Sequence, residues 1–256
     1  MKLFFYWCGF IFLCTYGSAW SQTQQVSIMS YNIHHGKDAD GQVTLDQMGN
    51  FIARSGADIV GLQEVDSVCD RSHQVDQTKS LAQAAEMNHR FTRHFAFQGG
   101  AYGQGLLTKF PVLNLRNFRL PVFSQKKGTE VSVLLTDVHI DSETTLTIGV
   151  VHLDYRSSES RMKQAQFLID SLSEIQNLVI VGDFNAYPDA PEMVRLREYF
   201  DVFPATLEAP TFPASNPDRR IDFVMVSKGS DFRIVDERVV DVPYSDHLPV
   251  ITTLEY

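Results

Sequence analysis

The chain has 256 residues, of which 44% are hydrophobic and 21% are charged, and its formal net charge is -9. A chain of this length and apolar content can form one domain with a buried core, but it is small for two domains. Its composition also argues against an extensively disordered chain. The acidic charge argues against a broad attraction for nucleic acid or for an anionic membrane, although bound cations supply local positive charge that this count omits.

The first residues have the pattern of a secretory signal. One lysine precedes an apolar run from Leu3 to Cys14, which is followed by small residues at Ala19 and Ser21. The run is shorter than the roughly 20 residues that span a bilayer, so a cleaved signal is favoured over a retained anchor. We expect a signal peptide over residues 1–21, one catalytic domain over residues 22–256, and a secreted or periplasmic protein.

Apolar strands alternate with amphipathic helices in the first half of the chain. Residues 26–31 and 59–63 have the apolar and β-branched composition of strands. Helical spacing of apolar residues predicts a helix that follows Thr44, a candidate N-cap, and ends near Gly56. A second helix is predicted around Leu81.

Strand signals dominate the second half. A turn at residues 141–143 indicates a hairpin between predicted strands at residues 131–140 and 146–153. Ser158 is predicted to cap a helix that ends near Leu172. The other predicted strands are residues 105–108, 178–181, 221–226, 232–239 and 248–254. Hairpins mixed with helical crossovers predict an α/β protein with mixed or largely antiparallel sheets, in one sheet or two.

Acidic, amide and histidine side chains recur at the ends of these predicted strands. The strand-end residues are Asn32, Glu64, His152, Asp183, Asn185, Asp222, Asp246 and His247. Taken alone, each has a structural explanation, such as a turn or a loop cap. Their shared position favours a functional explanation, because strand ends that lie together would form one polar pocket.

The composition of this pocket suits Mg²⁺ or Mn²⁺, which prefer oxygen ligands. Glu64 is the first expected ligand, and Asn32 and Asp246 are further candidates. Asp183 would orient and deprotonate a water molecule. Asn185, two residues further on, would point to the same side of an extended backbone and donate to a phosphoryl oxygen.

A histidine and a carboxylate complete the predicted chemistry. Asp222 would pair with His247, fix its tautomer and raise its pKa. Phosphoryl transfer depends more on positioning and charge neutralisation than on covalent chemistry. A metal ion, a histidine and an oriented water therefore predict the hydrolysis of a phosphoester bond.

Six short motifs in this order resemble those of the endonuclease/exonuclease/phosphatase superfamily, whose fold is that of deoxyribonuclease I. The motifs are Tyr31-Asn32-Ile33-His34, Leu62-Gln63-Glu64-Val65, Val151-His152-Leu153-Asp154, Gly182-Asp183-Phe184-Asn185-Ala186, Arg220-Ile221-Asp222-Phe223 and Ser245-Asp246-His247-Leu248-Pro249-Val250. The resemblance extends over residues 26–256. It implies a four-layer α/β/β/α sandwich of two mixed, mainly antiparallel sheets packed face to face.

The resemblance also implies roles for individual residues. It implies that Glu64 binds the metal with the assistance of the Asn32 amide. It implies that Asp183 activates the water, with the Asn185 amide beside it. It also implies that Asp222 and His247 form a pair that stabilises the phosphate. Asp246 resembles an additional metal ligand or a neighbour of the ligands, and His152 a histidine that protonates the leaving group. Arg71 and Gln104 resemble substrate-contacting positions, with a solvated loop arginine and a structural glutamine as the alternatives.

Three functions are compatible with these motifs. The acidic composition and the expected export favour a metal-dependent phosphodiesterase or phosphatase for a small or lipid-linked phosphoester, expected to be a monomer without stable membrane insertion. An extracellular nuclease would use the same pocket but needs a basic groove, and the chain has only scattered pairs such as Lys126-Lys127. A non-catalytic binding module on the same fold is disfavoured because the whole predicted set of site residues is present.

Overall fold

The structure is a computed structural model, and it describes residues 23–121 and 131–256. The predicted signal peptide, residues 1–21, and the Lys126-Lys127 pair lie outside the described residues. Within the described ranges, no helix combines the length and the apolar character needed to cross a membrane.

Twelve strands and four α-helices form in the described ranges. The first half contains β1 (Gln25–Asn32), α1 (Leu45–Arg54), β2 (Ile59–Ser67), α2 (Gln77–Ala85), β3 (Asn88–Phe97) and β4 (Gly100–Thr108). The second half contains β5 (Arg116–Leu120), β6 (Val131–His139), β7 (Thr145–His152), α3 (Ser158–Leu172), β8 (Leu178–Asp183), α4 (Pro191–Leu196), β9 (Phe200–Asp201), β10 (Asp222–Ser227), β11 (Arg233–Val239) and β12 (Val250–Glu255).

The strands form two six-stranded sheets. Sheet 1 has the order β11-β12-β1-β2-β4-β3 and sheet 2 the order β5-β6-β7-β8-β10-β9. Each sheet contains one central parallel pair, β1 with β2 and β7 with β8, and its other pairs are antiparallel. Parallel neighbours need a crossover connection, and α1 and α3 provide the two crossovers.

Alternating side chains show how the layers pack. In β1, Val26 and Ile28 belong to the apolar cluster between the two sheets, whereas Met29 and Tyr31 belong to the cluster beneath α1 and α2. A third cluster packs α3 and α4 against the outer face of sheet 2. The predicted α/β/β/α sandwich with two mixed, mainly antiparallel sheets is therefore confirmed.

One of the two predicted helix caps lies at the predicted residue and the other does not. Helix α3 begins at Ser158, and the cap is Ser157, whose side chain accepts from the Ser160 backbone N–H at 3.3 Å. The prediction that Ser158 is the cap was wrong by one residue, since its hydroxyl donates instead to Glu192 at 2.8 Å. Thr44 occupies the cap position of α1, but its hydroxyl donates to the carbonyl of Tyr244.

Candidate active site

The predicted site residues meet at the end of the sandwich where the parallel pairs of both sheets have their carboxyl ends. Asn32 ends β1 and Glu64 lies in β2, while His152 and Asp183 end β7 and β8. The Asn32 amide nitrogen donates to Glu64 at 3.4 Å and to Asp183 at 3.1 Å. Glu64 of sheet 1 and Asp183 of sheet 2 thus meet in the same pocket.

The backbone of β2 is irregular where it carries Glu64. The pairing of β2 with β4 shifts between Leu62 and Val65, and Glu64 has a φ of 57°. A bulge adds an unpaired residue and redirects the local side chains. Positive φ is uncommon for residues other than glycine and tends to occur at functional sites. This irregularity explains how Glu64 reaches the pocket from a strand whose flanking residues are buried.

Asn185 lies beside Asp183 for a different reason from the predicted one. The backbone at Asn185 is left-handed, with a φ of 51°, so the expectation of an extended chain was wrong. The Asn185 backbone N–H donates to Asp183 Oδ1 at 2.8 Å, which is a side-chain turn typical of aspartate. The Asn185 amide also donates to the Leu153 carbonyl at 3.1 Å. These bonds fix the Asp183 carboxylate and tie the loop after β8 to the end of β7.

Asp183 is the buried carboxylate at the centre of the pocket, with 2% of its surface exposed. Its Oδ2 lies 3.5 Å from His152 Nε2 and 3.7 Å from His247 Nε2. Burial raises the pKa of Asp183 to about 6, with the Asp222 carboxylate adding to the increase and the two histidines opposing it. A carboxylate with this pKa is suited to accept a proton near neutral pH.

His247 and Asp222 form the predicted pair. His247 Nδ1 lies 3.0 Å from Asp222 Oδ2, which also accepts the Thr211 hydroxyl at 2.6 Å. Burial lowers the pKa of His247, but the carboxylates of Asp222 and Asp183 outweigh burial and raise it to about 10. The imidazole is therefore protonated at neutral pH. Because Nδ1–H is held by Asp222, the Nε2–H is left to face the pocket and can donate to an anion there.

Asp246 lies at the edge of this group. Its Oδ1 is 3.8 Å from His34 Nδ1 and 3.4 Å from the Ser245 hydroxyl. The same hydroxyl donates to the Asn32 carbonyl at 2.7 Å, which connects the loop before β12 to the end of β1. His34 and Ser245 were not predicted as site residues, although both occur in the motifs that carry the family resemblance.

The donor atoms of the pocket suit a hard cation. Glu64 and Asp183 offer carboxylate oxygens on either side of the Asn32 amide, whose nitrogen donates to both while its oxygen accepts the His34 backbone N–H at 3.1 Å. Burial raises the pKa of Glu64, but three nearby histidines and Asn32 outweigh it and keep the pKa below its ordinary value. Glu64 is therefore ionised and available as a ligand.

A second group of residues has the spacing of a metal site. Among the described residues, Asp183, Asp222 and His247 place one ligand atom each within 4.8 Å of one another. The Asp222 carboxylate, however, is already engaged by the His247 ring and by a threonine hydroxyl. Hydrogen bonding therefore explains this trio better than metal coordination does.

A cavity of about 450 Å³ opens beside Glu64 and His152. Arg71 faces it, with its guanidinium donating to both oxygens of the buried Asp66 at 2.8 Å. The aromatic and aliphatic residues of the cavity wall are Phe95, Phe97, Tyr102, Val131, Leu153 and Tyr155. Arg71 thus borders the site as a fixed cationic group.

Gln104 lies behind the cavity wall. It is fully buried, and its amide nitrogen lies 3.4 Å from Nε2 of His94, which does line the cavity. The Ser132 backbone N–H donates to His94 Nδ1 at 2.9 Å, so the neutral imidazole carries its proton on Nε2 and donates to the Gln104 amide only when the amide oxygen, rather than the nitrogen, faces it. The structure therefore places Gln104 where it supports His94, one layer away from the cavity.

The burial of His94 predicts a dependence of stability on pH. Burial lowers the pKa of His94 to about 3, from 6.5 in the unfolded chain, with His152 and Arg119 adding to the decrease. At pH values between these two pKa values, the imidazole binds a proton only in the unfolded chain. The free energy of unfolding should therefore decrease as the pH falls. Urea unfolding of His94→Gln between about pH 7 and about pH 4.5 should show a slope smaller by about 1 kcal/mol per pH unit.

The matched control for this measurement is His139→Gln, which changes an exposed histidine at the far end of β6. This variant should keep the wild-type slope. An unchanged slope in His94→Gln would contradict the assignment of a neutral, buried imidazole.

Comparison with known proteins places these features in a family. The model of the Endonuclease/Exonuclease/phosphatase family matches residues 29–247. No curated protein matches the chain significantly in sequence. The match covers most of the chain and every residue of the predicted site.

Solved structures share the fold at low sequence identity. An endonuclease/exonuclease/phosphatase from Beutenbergia cavernae has a TM-score of 0.73 and 20% identity, over 90% of this chain and 71% of that chain. The human Nocturnin catalytic domain with bound sulfate has a TM-score of 0.70 and 19% identity, over 90% and 94% of the two chains. The mannosyl-6-phosphatase Bt3783 of Bacteroides thetaiotaomicron has a TM-score of 0.67 and 18% identity, over 90% and 100%. The chain belongs to the Endonuclease/Exonuclease/phosphatase family of phosphoester hydrolases.

Proposed function

We propose that the protein is a divalent-metal-dependent hydrolase of small phosphoesters that acts by attack of water on phosphorus. One observation carries this proposal: the Asn32 amide nitrogen lies within 3.5 Å of three groups with different tasks. These groups are Glu64 Oε1 at 3.4 Å, Asp183 Oδ2 at 3.1 Å and His247 Nε2 at 3.5 Å. Phosphoryl transfer needs this combination of charge neutralisation and positioning.

Glu64 and Asp246 would hold the cation through carboxylate oxygens, with Asn32 assisting through its side-chain oxygen, which also accepts the His34 backbone N–H at 3.1 Å. Mg²⁺ or Mn²⁺ fits these oxygen donors. When bound, the cation neutralises charge on the phosphoryl group and orients it. Glu64 provides the ionised carboxylate for this purpose, while Ser245 fixes the loop that carries Asp246 against Asn32.

Asp183 would position the attacking water and accept its proton. Its Oδ1 is fixed by the Asn185 backbone N–H, so Oδ2 is the atom directed at the pocket. The protonated His247 would donate from Nε2 to a phosphoryl oxygen as negative charge develops there. Asp222 keeps His247 charged and in the required orientation.

His152 would protonate the leaving alcohol. Its Nε2 lies 3.5 Å from Asp183 Oδ2, and its side chain borders the cavity. The cavity is therefore on the side of the pocket where the leaving group would be held. Asp183 gains a proton from the water and His152 gives one to the departing oxygen. Transfer of the proton from Asp183 Oδ2 to His152 Nε2, which lies 3.5 Å away, would restore both groups for the next cycle.

The compact cavity and the net charge of -9 support a small substrate over duplex nucleic acid. The likeness to a structure described as a mannosyl-6-phosphatase also supports a small phosphorylated compound. The sequence pattern of residues 1–21 supports action outside the cytoplasm, in the periplasm or in the medium.

A substrate panel with Mg²⁺ or Mn²⁺ tests the proposal. It should contain p-nitrophenyl phosphate, bis(p-nitrophenyl) phosphate, sugar phosphates, sphingomyelin, RNA and plasmid DNA. We expect hydrolysis of at least one small ester, its loss in excess EDTA and its recovery with added cation. Failure on every ester, or activity that resists EDTA, would contradict the proposal. Degradation of plasmid as the main activity, persisting at moderate salt, would instead identify a nuclease.

Glu64→Gln should weaken activation by the cation. Removing the ionised ligand should raise the Mg²⁺ concentration for half-maximal activity at least about 10-fold, since even residues that only support metal ligands have effects of this size. Mg²⁺ titration of the initial rate measures it. Glu143→Gln, at the exposed turn at the opposite end of β7, is the control and should titrate like the wild type. Equal titrations for Glu64→Gln and wild type would place the cation elsewhere.

A further inference from the structure

The edge strand β3 turns consecutive side chains toward the cavity. In a regular strand His94 and Phe95 would face opposite sides of the sheet, yet both line the cavity. The pairing of β3 with β4 shifts between Arg93 and Phe95, which makes His94 the extra residue of a bulge. A bulge re-aims side chains in this way and is frequent next to active sites. Phe97, two residues beyond Phe95, extends the same wall.

The wall consists of flat groups held in fixed positions. The ring centroids of Phe95 and Tyr102 are 5.2 Å apart at 32°, and those of Phe95 and Phe97 are 6.2 Å apart at 84°. The Arg71 guanidinium lies 4.6 Å from the Phe97 centroid and 5.6 Å from that of Tyr102. Asp66 fixes this planar cation through two hydrogen bonds, so it continues the wall as a further flat surface.

Tyr155 borders the cavity from the loop between β7 and α3. It follows His152 by three residues, and 67% of its surface is exposed. The Arg156 guanidinium lies 4.9 Å from its ring centroid. An aromatic side chain with this exposure contributes little to the packing of the core. Contact with a ligand in the cavity therefore explains the position of Tyr155 better than core packing does.

We propose that this cavity binds the alcohol portion of the phosphoester and selects alcohols that carry a flat, unsaturated ring. The inference rests on the proposed function, because the cavity adjoins Glu64 and His152. Aromatic walls bind rings through offset-stacked and edge-to-face contacts, which add to the free energy of burying apolar area. A flexible aliphatic chain gains the burial alone and also loses conformational freedom when it is held.

Binding of phosphonates tests the inference without turnover, since their carbon–phosphorus bond is not hydrolysed. Titration calorimetry of the wild-type protein in Mg²⁺ or Mn²⁺ should compare phenylphosphonate, hexylphosphonate and methylphosphonate. We expect phenylphosphonate to bind at least about 5-fold more tightly than methylphosphonate and more tightly than hexylphosphonate. Equal affinities, no binding, or tighter binding of hexylphosphonate would overturn the inference.

Two variants assign the selectivity to the wall. Phe97→Leu and Tyr155→Ala should each reduce the ratio of phenylphosphonate to methylphosphonate affinity about 3- to 10-fold. Phe91→Leu is the matched control, because Phe91 precedes the bulge on the same strand and packs beneath α1 and α2. Tyr155 is exposed, so its variant tests the inference even if Phe97→Leu fails to fold. A ratio unchanged in Tyr155→Ala and in a folded Phe97→Leu would overturn the role of these residues.

The two proposals fail in different ways. Ring-selective phosphonate binding by a protein that hydrolyses no ester would contradict the proposed function and support the subsite. Ester hydrolysis with equal phosphonate affinities would support the proposed function and overturn the subsite.

Discussion

Asp183→Asn is expected to lower kcat by about 10²- to 10⁴-fold, the range typical for the loss of a proton-transfer group. The asparagine has nearly the same shape but cannot accept a proton from water. Asp183 is 2% exposed, and burial raises its pKa to about 6, which indicates that burying its charge is unfavourable. A neutral amide removes that unfavourable charge, so the variant should fold. The loss of activity should therefore appear in kcat without unfolding.

Steady-state rates on the best ester of the panel, at saturating Mg²⁺, measure this effect, and thermal unfolding checks the fold. Asp189→Asn is the matched control, because Asp189 is exposed and lies six residues further along the same loop. It should retain wild-type kcat. A kcat of Asp183→Asn within about twofold of the wild type would show that Asp183 is not the group that activates the water.

The pocket could be predicted from sequence because its residues follow buried strands. Apolar runs stop abruptly at Glu64 and Asp183, and a polar residue at the end of a buried strand needs a partner or a function. Local pattern, however, does not give backbone conformation after the strand. The left-handed backbone of Asn185 is accompanied by a side-chain hydrogen bond to Leu153, and the bulge at Glu64 arises in the pairing of β2 with β4. The sequence alone does not show these contacts between residues that are far apart in the chain.

The part of the cavity wall that β3 contributes could not be predicted, because β3 was not predicted. The strand contains two arginines and two histidines among its ten residues, and its burial varies along the edge of sheet 1. The bulge at His94 also breaks the period of two that identifies strands. The short strand β5 and the six-residue helix α4 were missed as well, since segments this short carry too few residues for a periodic signal.

The division into two sheets is a consequence of long-range packing. Between the sheets, a side chain at Gly61 would place its Cβ 2.1 Å from a methyl carbon of Val181 in the opposite sheet. Glycine is therefore required there for the close approach of the layers. In the sequence Gly61 is one residue of an apolar strand, and nothing local distinguishes it from a glycine that faces a helix.

His247→Ala is the second change with a large expected effect, again a decrease in kcat of about 10²- to 10⁴-fold. It removes the charged Nε2–H donor that faces Asp183 and Asn32. It also leaves the buried Asp222 with the Thr211 hydroxyl but without its cationic partner. The free energy of unfolding should therefore decrease by about 1–3 kcal/mol, a cost that Asp183→Asn does not share.

The same assays separate the two effects, with unfolding measured in urea and rates measured well below the unfolding transition. His139→Ala, an exposed histidine on β6, is the control for both.

His247→Gln restores an amide donor without the positive charge, so its kcat should lie between those of His247→Ala and wild type. If charge on the imidazolium dominates, His247→Gln will be close to His247→Ala. A wild-type kcat in His247→Ala would remove the histidine from the mechanism, because no other described side chain is paired with Asp222 in the same way.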